Sequence, residues 1–129
     1  MSKRVTIVIA EDNDIMRSVL RGILRGEAFE VIGEARNGQA AVELVERLKP
    51  NIVCMDVMMP EMNGIEALCE IKARFPATEV VMVTGNSDAD TVQESIMNGA
   101  SGFIIKPFNA AKVLDTLSKV AQKQRSKTA

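Results

Sequence analysis

Residues 52–64 read IVCMDVMMPEMNG, an apolar run that ends in an acidic residue and is followed by turn-forming residues. The first four, Ile52–Met55, are continuously hydrophobic, as expected of a strand buried on both faces of a parallel sheet. The run ends at Asp56, and Asn63-Gly64 marks a boundary before the next element. Beyond it, apolar residues recur at the interval that places side chains on one helix face, namely Ile65, Leu68, Ile71 and Phe75. The segment therefore predicts a buried strand, a loop and a helix, with a carboxylate at the carboxyl end of the strand.

The same alternation of short apolar runs and helical patterns extends over the whole chain. The predicted strands are Val5–Ala10, Glu30–Glu34, Ile52–Met55, Glu79–Val83 and Gly102–Ile105. The other helical stripes are Met16, Val19, Leu20, Ile23 and Leu24; Ala41, Leu44, Val45 and Leu48; Ala89, Val92 and Ile96; and Val113, Leu114, Leu117, Val120 and Ala121. Five successive strand–helix units predict an α/β fold with right-handed crossovers and helices on both faces of a parallel sheet. We expect a doubly wound, five-stranded, flavodoxin-like (βα)5 sheet with strand order 2-1-3-4-5.

The length of the chain fits a single domain over residues 1–129, and no internal linker or repeat divides it. We expect the packed core to cover about residues 4–121. Residues 122–129 form a polar, basic tail, which is interpreted as the frayed and solvated end of the last helix.

The composition excludes several classes of function. Lys and Arg number 16 against 17 Asp and Glu, and this balance argues against direct DNA binding, which usually needs a basic face. No run approaches the ~20 apolar residues of a membrane span. The chain has no His, which excludes His-based catalysis and His metal sites within it. Cys54 and Cys69 are not in a CxxC spacing and are interpreted as buried or half-buried apolar residues in a reducing compartment. These features predict a cytoplasmic protein.

Polar residues follow four of the predicted strands. Glu11-Asp12 comes after the first strand, Asp56 after the third, Thr84 after the fourth and Lys106 after the fifth. In a doubly wound sheet the carboxyl ends of the strands meet at one edge, so we expect these side chains to converge there. Taken singly, each has an ordinary explanation as a loop residue or a helix cap, and Asp12 or Asp14 could cap the first helix. Their joint placement indicates a site.

Three neighbouring carboxylates repel one another and resist ionisation unless a cation compensates them. Mg²⁺ is the most plausible cation, because it prefers oxygen ligands and keeps several of its waters. Lys106 brings a second positive charge. A carboxylate beside these two cations is a suitable nucleophile toward a phosphoryl group, since both neutralise charge on the phosphoryl oxygens.

Over about residues 4–121 the chain resembles the response-regulator receiver family of two-component systems. The resemblance is carried by an ordered set of motifs: Glu11-Asp12, the run from Met55 to Gly64, Val83-Thr84-Gly85, and the run from Gly99 to Phe108. It implies that Asp56 accepts a phosphoryl group from a sensor histidine kinase or a histidine phosphotransfer protein. It also implies that Glu11, Asp12 and Asp56 hold Mg²⁺ with the backbone carbonyl of Met58.

The resemblance further implies a switch. Lys106 would contact the phosphoryl group, and Thr84 would move toward it and vacate space into which the aromatic residue Phe103 turns. The face built by the fourth helix, fifth strand and fifth helix would then be remodelled to bind a downstream protein target. The chain would be phosphorylated and slowly dephosphorylate itself, without turning over an external substrate.

Two positions depart from the commonest family pattern, and two others lie at positions where the family varies. Glu11 stands where Asp is commonest, and its longer arm is predicted to reach the metal through water. Phe103 lacks the hydroxyl of a tyrosine, so an output that relies on a tyrosine hydrogen bond is absent. Met58 and Asn86 occupy variable positions that tune phosphoryl lifetime, and because neither ionises we expect slow to moderate loss of phosphate.

Other functions fit parts of the sequence. Asp12-Asn13-Asp14 offers the Asp-x-Asp pattern of a Mg²⁺-dependent phosphatase of the haloacid dehalogenase type, although the chain is short for that fold and a cap. A nucleotide- or flavin-binding module is a further alternative, but the chain lacks the glycine-rich motif that binds a nucleotide and the Trp or Tyr that would stack on a flavin. A receiver that works without phosphorylation would have a degraded acidic pocket. Within the receiver interpretation, the sequence leaves open a stand-alone protein of chemotaxis or phosphorelay type and a module from a larger regulator.

Overall fold

The computed structural model describes residues 4–26, 28–85 and 89–128, with side chains up to Lys123 in the last helix. The elements, in chain order, are β1 Val5–Ala10, α1 Asp14–Leu24, β2 Phe29–Ala35, α2 Gly38–Leu48, β3 Ile52–Met55, α3 Gly64–Arg74, β4 Glu79–Thr84, α4 Ala89–Met97, β5 Gly102–Ile105 and α5 Ala110–Thr128. All strand pairs are parallel, and the sheet order is β2-β1-β3-β4-β5. The predicted fold class and strand order are therefore confirmed. Strand β2 is one residue longer than predicted at each end, and β4 is one residue longer at its carboxyl end.

The sheet separates two apolar cores. Every residue of β3 and β4 is buried, because these strands are covered on both faces. On one face the core includes Ile7 and Ile9 of β1 with residues of α1 and α5, and on the other it includes Val8 with residues of α2 and α3. Alternate side chains of a strand point to opposite faces, which explains how one short strand supplies both cores.

Asparagine side chains cap the helices that begin near the carboxyl edge of the sheet. Asn13, Asn37 and Asn63 cap α1, α2 and α3, each by accepting a hydrogen bond from a main-chain N–H three residues ahead. Asn63 forms a capping box with Glu66. The suggestion that Asp12 or Asp14 caps the first helix is wrong. Because Asn13 caps the helix, the carboxylate of Asp12 is available for the site.

Helix α4 does not bury the stripe that the sequence predicts. Its buried residue is Ser95, whereas Ala89 is exposed and Ile96 is 60% exposed. The Ser95 hydroxyl donates to the carbonyl of Thr91 at 2.9 Å, so this polar side chain is satisfied within its own helix and can pack inward. Ile96 and Met97, which follow Ser95 along the helix, are exposed to solvent.

Smaller differences concern α1, α3 and the tail. Val19 is 43% exposed and lies outside the buried stripe of α1, and Cys69 is exposed instead of buried. Residues 122–128, predicted as a frayed tail, continue helix α5. Among the described residues, no helix is both long and apolar enough to span a bilayer.

Candidate functional site

The carboxyl ends of β1 and β3 bring three carboxylates together. Ala10 and Met55 are register partners, so the residues that follow them, Glu11 and Asp56, emerge side by side. Carboxylate oxygens of Glu11, Asp12 and Asp56 lie within 4.8 Å of one another. Glu11 and Asp56 are buried, at 1% and 6% exposure, whereas Asp12 is exposed. The site therefore has a buried floor and an open rim.

Lys106 lies against the two buried acids. Its Nζ donates to Oε1 of Glu11 at 2.8 Å and to Oδ2 of Asp56 at 3.0 Å. The lysine follows β5 directly, and its main-chain N–H donates to the carbonyl of Thr84 at 2.8 Å. The edge of the sheet thus fixes the base of the side chain, while the ammonium partly offsets the charge of the cluster.

Burial and the hydrogen bonds between Lys106 and the acids shift the pKa values of this cluster in opposite directions. Burial raises the pKa of Glu11 above its usual 4.5, and the hydrogen bond from Lys106 only partly lowers it, since the neighbouring Asp56 raises it again. Burial alone would lower the pKa of Lys106, but its hydrogen bonds to Glu11 and Asp56 outweigh burial and raise it. Lys106 therefore stays charged, and the acids retain an excess of negative charge that favours a further cation.

The donor set fits Mg²⁺. Mg²⁺ binds oxygen atoms at ~2.1 Å in an octahedron, so two of its ligands lie roughly 3 to 4.2 Å apart. The carboxylates of Glu11, Asp12 and Asp56 already lie within 4.8 Å, so small side-chain movements bring them to that spacing. The exposed Asp12 leaves the rim open to the waters that Mg²⁺ retains.

The loop after β3 holds Asp56 closely. The N–H of Met58 donates to Oδ1 of Asp56 at 3.2 Å, and the N–H of Gly64 donates to the carbonyl of Val57 at 2.9 Å. A Cβ on Gly64 would lie 2.0 Å from the main-chain oxygen of Asp56, so this position requires glycine. The sequence identified Asn63-Gly64 only as a turn and gave no sign of this contact. The Met58 side chain is 68% exposed.

The two predicted switch residues lie on neighbouring strands. Thr84 is the fully buried last residue of β4. Phe103 pairs with Met82 in the β4–β5 ladder, and its half-buried ring packs against the core that contains α2 and α3. Asn86, the other position predicted to tune phosphoryl lifetime, lies outside the described residues.

The sequence analysis named no site residue in α1, but the structure places Arg17 there. Arg17 is 9% exposed, and its Nη1 donates to the main-chain oxygen of Glu11 at 2.8 Å. A signal was present in the sequence, because residues 17, 20 and 24 share one helix face and the other two are the buried Leu20 and Leu24. An arginine within a buried stripe, one turn after an acidic pair, indicates a partner behind that pair.

Comparison with known proteins gives the family. The model of the response regulator receiver domain matches residues 7–118. This chain belongs to the receiver domain family. The receiver domain is 43% identical over 122 residues to the chemotaxis protein CheY of Thermotoga maritima, covering 95% of this chain and all of that protein. It is 40% identical over 116 residues to CheY of Listeria monocytogenes, covering 90% and 98% of the two chains.

Solved structures give the same result. The CheX–CheY–BeF3–Mg²⁺ complex from Borrelia burgdorferi matches with a TM-score of 0.87 and 30% identity, covering 90% of this chain and 88% of that one. The receiver domain is therefore homologous to CheY and other response regulators, which are phosphorylation-activated switches of two-component signalling. The family is one of signalling proteins, and this outcome decides against the phosphatase alternative.

Proposed function

We propose that Asp56 is the phosphoacceptor and that a sensor histidine kinase or histidine phosphotransfer protein is the donor. The observation that carries the proposal is the position of the Asp56 carboxylate, held between Lys106 and the acidic pair at the open edge of the sheet. The other members of the site have supporting roles. Glu11, Asp12 and Asp56 hold Mg²⁺ with the carbonyl of Met58, and Lys106 contacts the phosphoryl group.

The transfer is a displacement at phosphorus. An oxygen of Asp56 forms the new O–P bond as the N–P bond of the donor phosphohistidine breaks, and the imidazole leaves with the electron pair. Lys106, 3.0 Å from Asp56, neutralises charge on the phosphoryl oxygens without moving far. Bound Mg²⁺ supplies further neutralisation of this charge and orients the phosphoryl group. The BeF3 and Mg²⁺ in the Borrelia burgdorferi CheY complex support this assignment, because BeF3 has the shape and charge of a phosphoryl group.

The donor must reach Asp56 across the rim of the site. Two apolar side chains stand there, Ile15 at 75% exposure in the first turn of α1 and Met58 at 68% exposure after β3. Both are available to contact a protein that presents a phosphohistidine. Met58 lies two residues after Asp56 and has no ionisable group to activate a water there, which favours slow to moderate hydrolysis of the phosphoryl group. The chain turns over no other substrate in this proposal.

The response is a change in the face formed by α4, β5 and α5. Thr84 moves toward the phosphoryl group, and Phe103 turns into the space that Thr84 leaves. Exposed apolar residues of these elements, Ile96 and Met97 on α4 and Ile105 on β5, support the binding of a cytoplasmic protein target. A chemotaxis role and a phosphorelay role both use such a surface.

The experiment compares amide NMR spectra before and after addition of beryllofluoride and Mg²⁺. In the wild type we expect shifts at the site and also across α4, β5 and α5. Thr84→Val retains the shape of the side chain without its hydroxyl, and we expect its shifts to stay near the site. Thr84→Ser keeps the hydroxyl and serves as the matched control, with wild-type behaviour expected.

Lys106→Ala tests the coupling from the other side of the site. This variant should remain folded by circular dichroism but transmit no shifts to α4, β5 and α5. Wild-type shifts confined to the residues around Asp56 would contradict the proposed switch, and so would a wild-type response in Thr84→Val.

A further inference from the structure

Arg17 is a buried charge directly behind the proposed metal site. It lies on α1 in the same stripe as Leu20 and Leu24, and its side chain is 11% exposed. A buried arginine is costly unless each of its donors is used. The partners of this side chain therefore indicate why it occupies a core position.

All three guanidinium nitrogens have partners, and the partners come from three parts of the chain. Nη1 donates to the main-chain oxygen of Glu11 at 2.8 Å, Nε donates to Oε1 of Glu34 at 3.1 Å, and Nη2 donates to the carboxylate of Asp14. The planar fork of arginine holds these three groups in a fixed relation to one another. The peptide of Glu11 is thereby tied both to α1 and to β2.

The main chain of Glu11 is held on both sides. Its N–H donates to the carbonyl of Ala35 at the end of β2 at 2.9 Å, and its carbonyl accepts from Arg17. The Glu11 side chain then extends to Lys106 and to the other two carboxylates of the site. Because the N–H and the carbonyl of Glu11 are both held, the direction in which its side chain leaves the main chain is fixed.

The charge of Arg17 is offset next to the site. A bare guanidinium this close to a cation site would repel the cation, but the carboxylates of Glu34 and Asp14 both contact it. Glu34 is shared with Arg21, whose Nη1 lies 2.8 Å from both of its carboxylate oxygens. Arg36 also pairs with Asp14, but its side chain is 71% exposed. The two carboxylates therefore offset the charges of Arg17 and Arg21 next to the site, and the remaining positive charge lies in solvent.

We propose that Arg17 is a positioning residue that sets the affinity of the site for Mg²⁺ by fixing the peptide of Glu11, with Glu34 as its counter-ion. The inference rests on the proposed function, because it assumes that Glu11 helps to hold Mg²⁺. Groups that orient metal ligands typically change metal affinity by ten- to a hundredfold when they are replaced. We therefore expect about a tenfold loss of Mg²⁺ affinity when the fork of Arg17 is removed and its charge retained.

The test measures Mg²⁺ dissociation constants for the wild type, Arg17→Lys and Arg21→Lys. The chain has neither Trp nor Tyr, so calorimetry or NMR titration replaces intrinsic fluorescence. Lysine keeps the charge but cannot reach the three partners of Arg17 together. Arg21→Lys is the matched control, since Arg21 contacts Glu34 and Ser18 and, within the described part of the chain, makes no hydrogen bond to Glu11, Asp12 or Asp56. We expect weaker binding in Arg17→Lys and unchanged binding in Arg21→Lys.

A second measurement separates positioning from simple stabilisation. The Mg²⁺ concentration for half-maximal phosphorylation by acetyl phosphate should rise about tenfold in Arg17→Lys, while the rate at saturating Mg²⁺ returns toward that of the wild type. A residue that only anchors α1 to β2 would lower the melting temperature without changing the Mg²⁺ dependence. Equal Mg²⁺ affinity in Arg17→Lys and Arg21→Lys overturns the inference.

Two further outcomes are distinguishable. If the wild type binds no Mg²⁺, the proposed function fails, whatever the variants do. If Arg17→Lys does not fold, Glu34→Gln replaces it, because this change leaves Arg17 in place with its charge less compensated. Glu34→Gln should also weaken Mg²⁺ binding, and wild-type affinity in that variant would refute the part assigned to the network.

Discussion

Glu11→Gln is expected to stabilise the metal-free protein at neutral pH, although it removes a charged partner of Lys106. Glu11 is 1% exposed, and its carboxylate must be taken out of water on folding. Glutamine has nearly the same shape, and its amide oxygen can still accept from Lys106, as Oε1 of Glu11 does, but its NH2 group replaces Oε2 and cannot accept from the N–H of Asn13. The substitution therefore removes charge and leaves the packing in place.

The magnitude follows from three terms. With an effective dielectric constant of 20, attraction to Lys106 at 2.8 Å is worth about 6 kcal/mol, and repulsion from Asp56 within 4.8 Å costs at least about 3.5 kcal/mol. Repulsion from Asp12 is screened by solvent to about 1 kcal/mol. The attraction left over, about 1.5 kcal/mol, is smaller than the several kcal/mol that burial of an ion costs. The lost hydrogen bond from the N–H of Asn13 offsets about 1 kcal/mol of this difference, so we expect a net gain of about 1 kcal/mol, which raises Tm by about 4 °C for a chain of this size.

The effect has a defined dependence on pH. The pKa of Glu11 is raised by burial, so its folded-state pKa lies above its unfolded value near 4.5. A raised pKa means that stability is present below pH 4.5 and is lost as the pH rises through the folded pKa. The wild type carries this loss at pH 7.5, whereas Glu11→Gln does not. The difference in Tm should therefore be large at pH 7.5 and vanish as the pH approaches 4.

Mg²⁺ should reverse the ranking. At a concentration of about a hundred times its dissociation constant, Mg²⁺ stabilises a protein by about 2.7 kcal/mol. The wild type should gain this amount, and Glu11→Gln should gain less because it has lost a ligand charge. The assay is thermal unfolding by circular dichroism, in EDTA and in Mg²⁺. Glu30→Gln, at an exposed position of β2, is the control. A Glu11→Gln protein that melts below the wild type in EDTA at pH 7.5 would refute the reasoning.

Two other predictions concern packing and thiol chemistry. Gly64→Ala should destabilise the fold by about 1–3 kcal/mol, because the new Cβ would meet the main-chain oxygen of Asp56 at 2.0 Å; chemical denaturation measures this, and Gly22→Ala in α1, with no atom within 4 Å, should be neutral or stabilising. In the native protein, Ellman's reagent should modify Cys69 and spare Cys54, whose pKa burial raises to about 12. Both thiols should react in denaturant, and rapid modification of Cys54 in the folded protein would contradict its burial.

The fold and the site edge could be predicted because they depend on chain-wide patterns. Strands such as Ile52–Met55 are continuously apolar, and the handedness of strand–helix–strand units leaves few topologies. Once the strand order is known, residues directly after a strand must meet at one edge. This argument alone predicts that Glu11, Asp56 and Lys106 lie close together.

The other features of the structure depend on contacts that cannot be predicted from the periodicity of the sequence. The stripe formed with Leu20 and Leu24 indicates that Arg17 is buried, but its three partners come from different parts of the chain and no periodicity identifies them. In α4 the pattern favoured Ile96 as a buried residue, but Ser95 satisfies its own hydroxyl and takes that place. Glycine is likewise required at position 64 because of the main-chain oxygen of Asp56, which does not belong to the helix that Gly64 begins.

The central claim is that Asp56 is the single residue that carries phosphate, and that it does so with Mg²⁺. Intact-mass measurement and peptide mapping after incubation with acetyl phosphate test it most directly, with and without Mg²⁺ and in Asp56→Asn. We predict the gain of one phosphoryl group on Asp56, dependent on Mg²⁺ and absent from the variant. A folded wild-type protein that gains no mass, or gains it on another residue, would contradict the account.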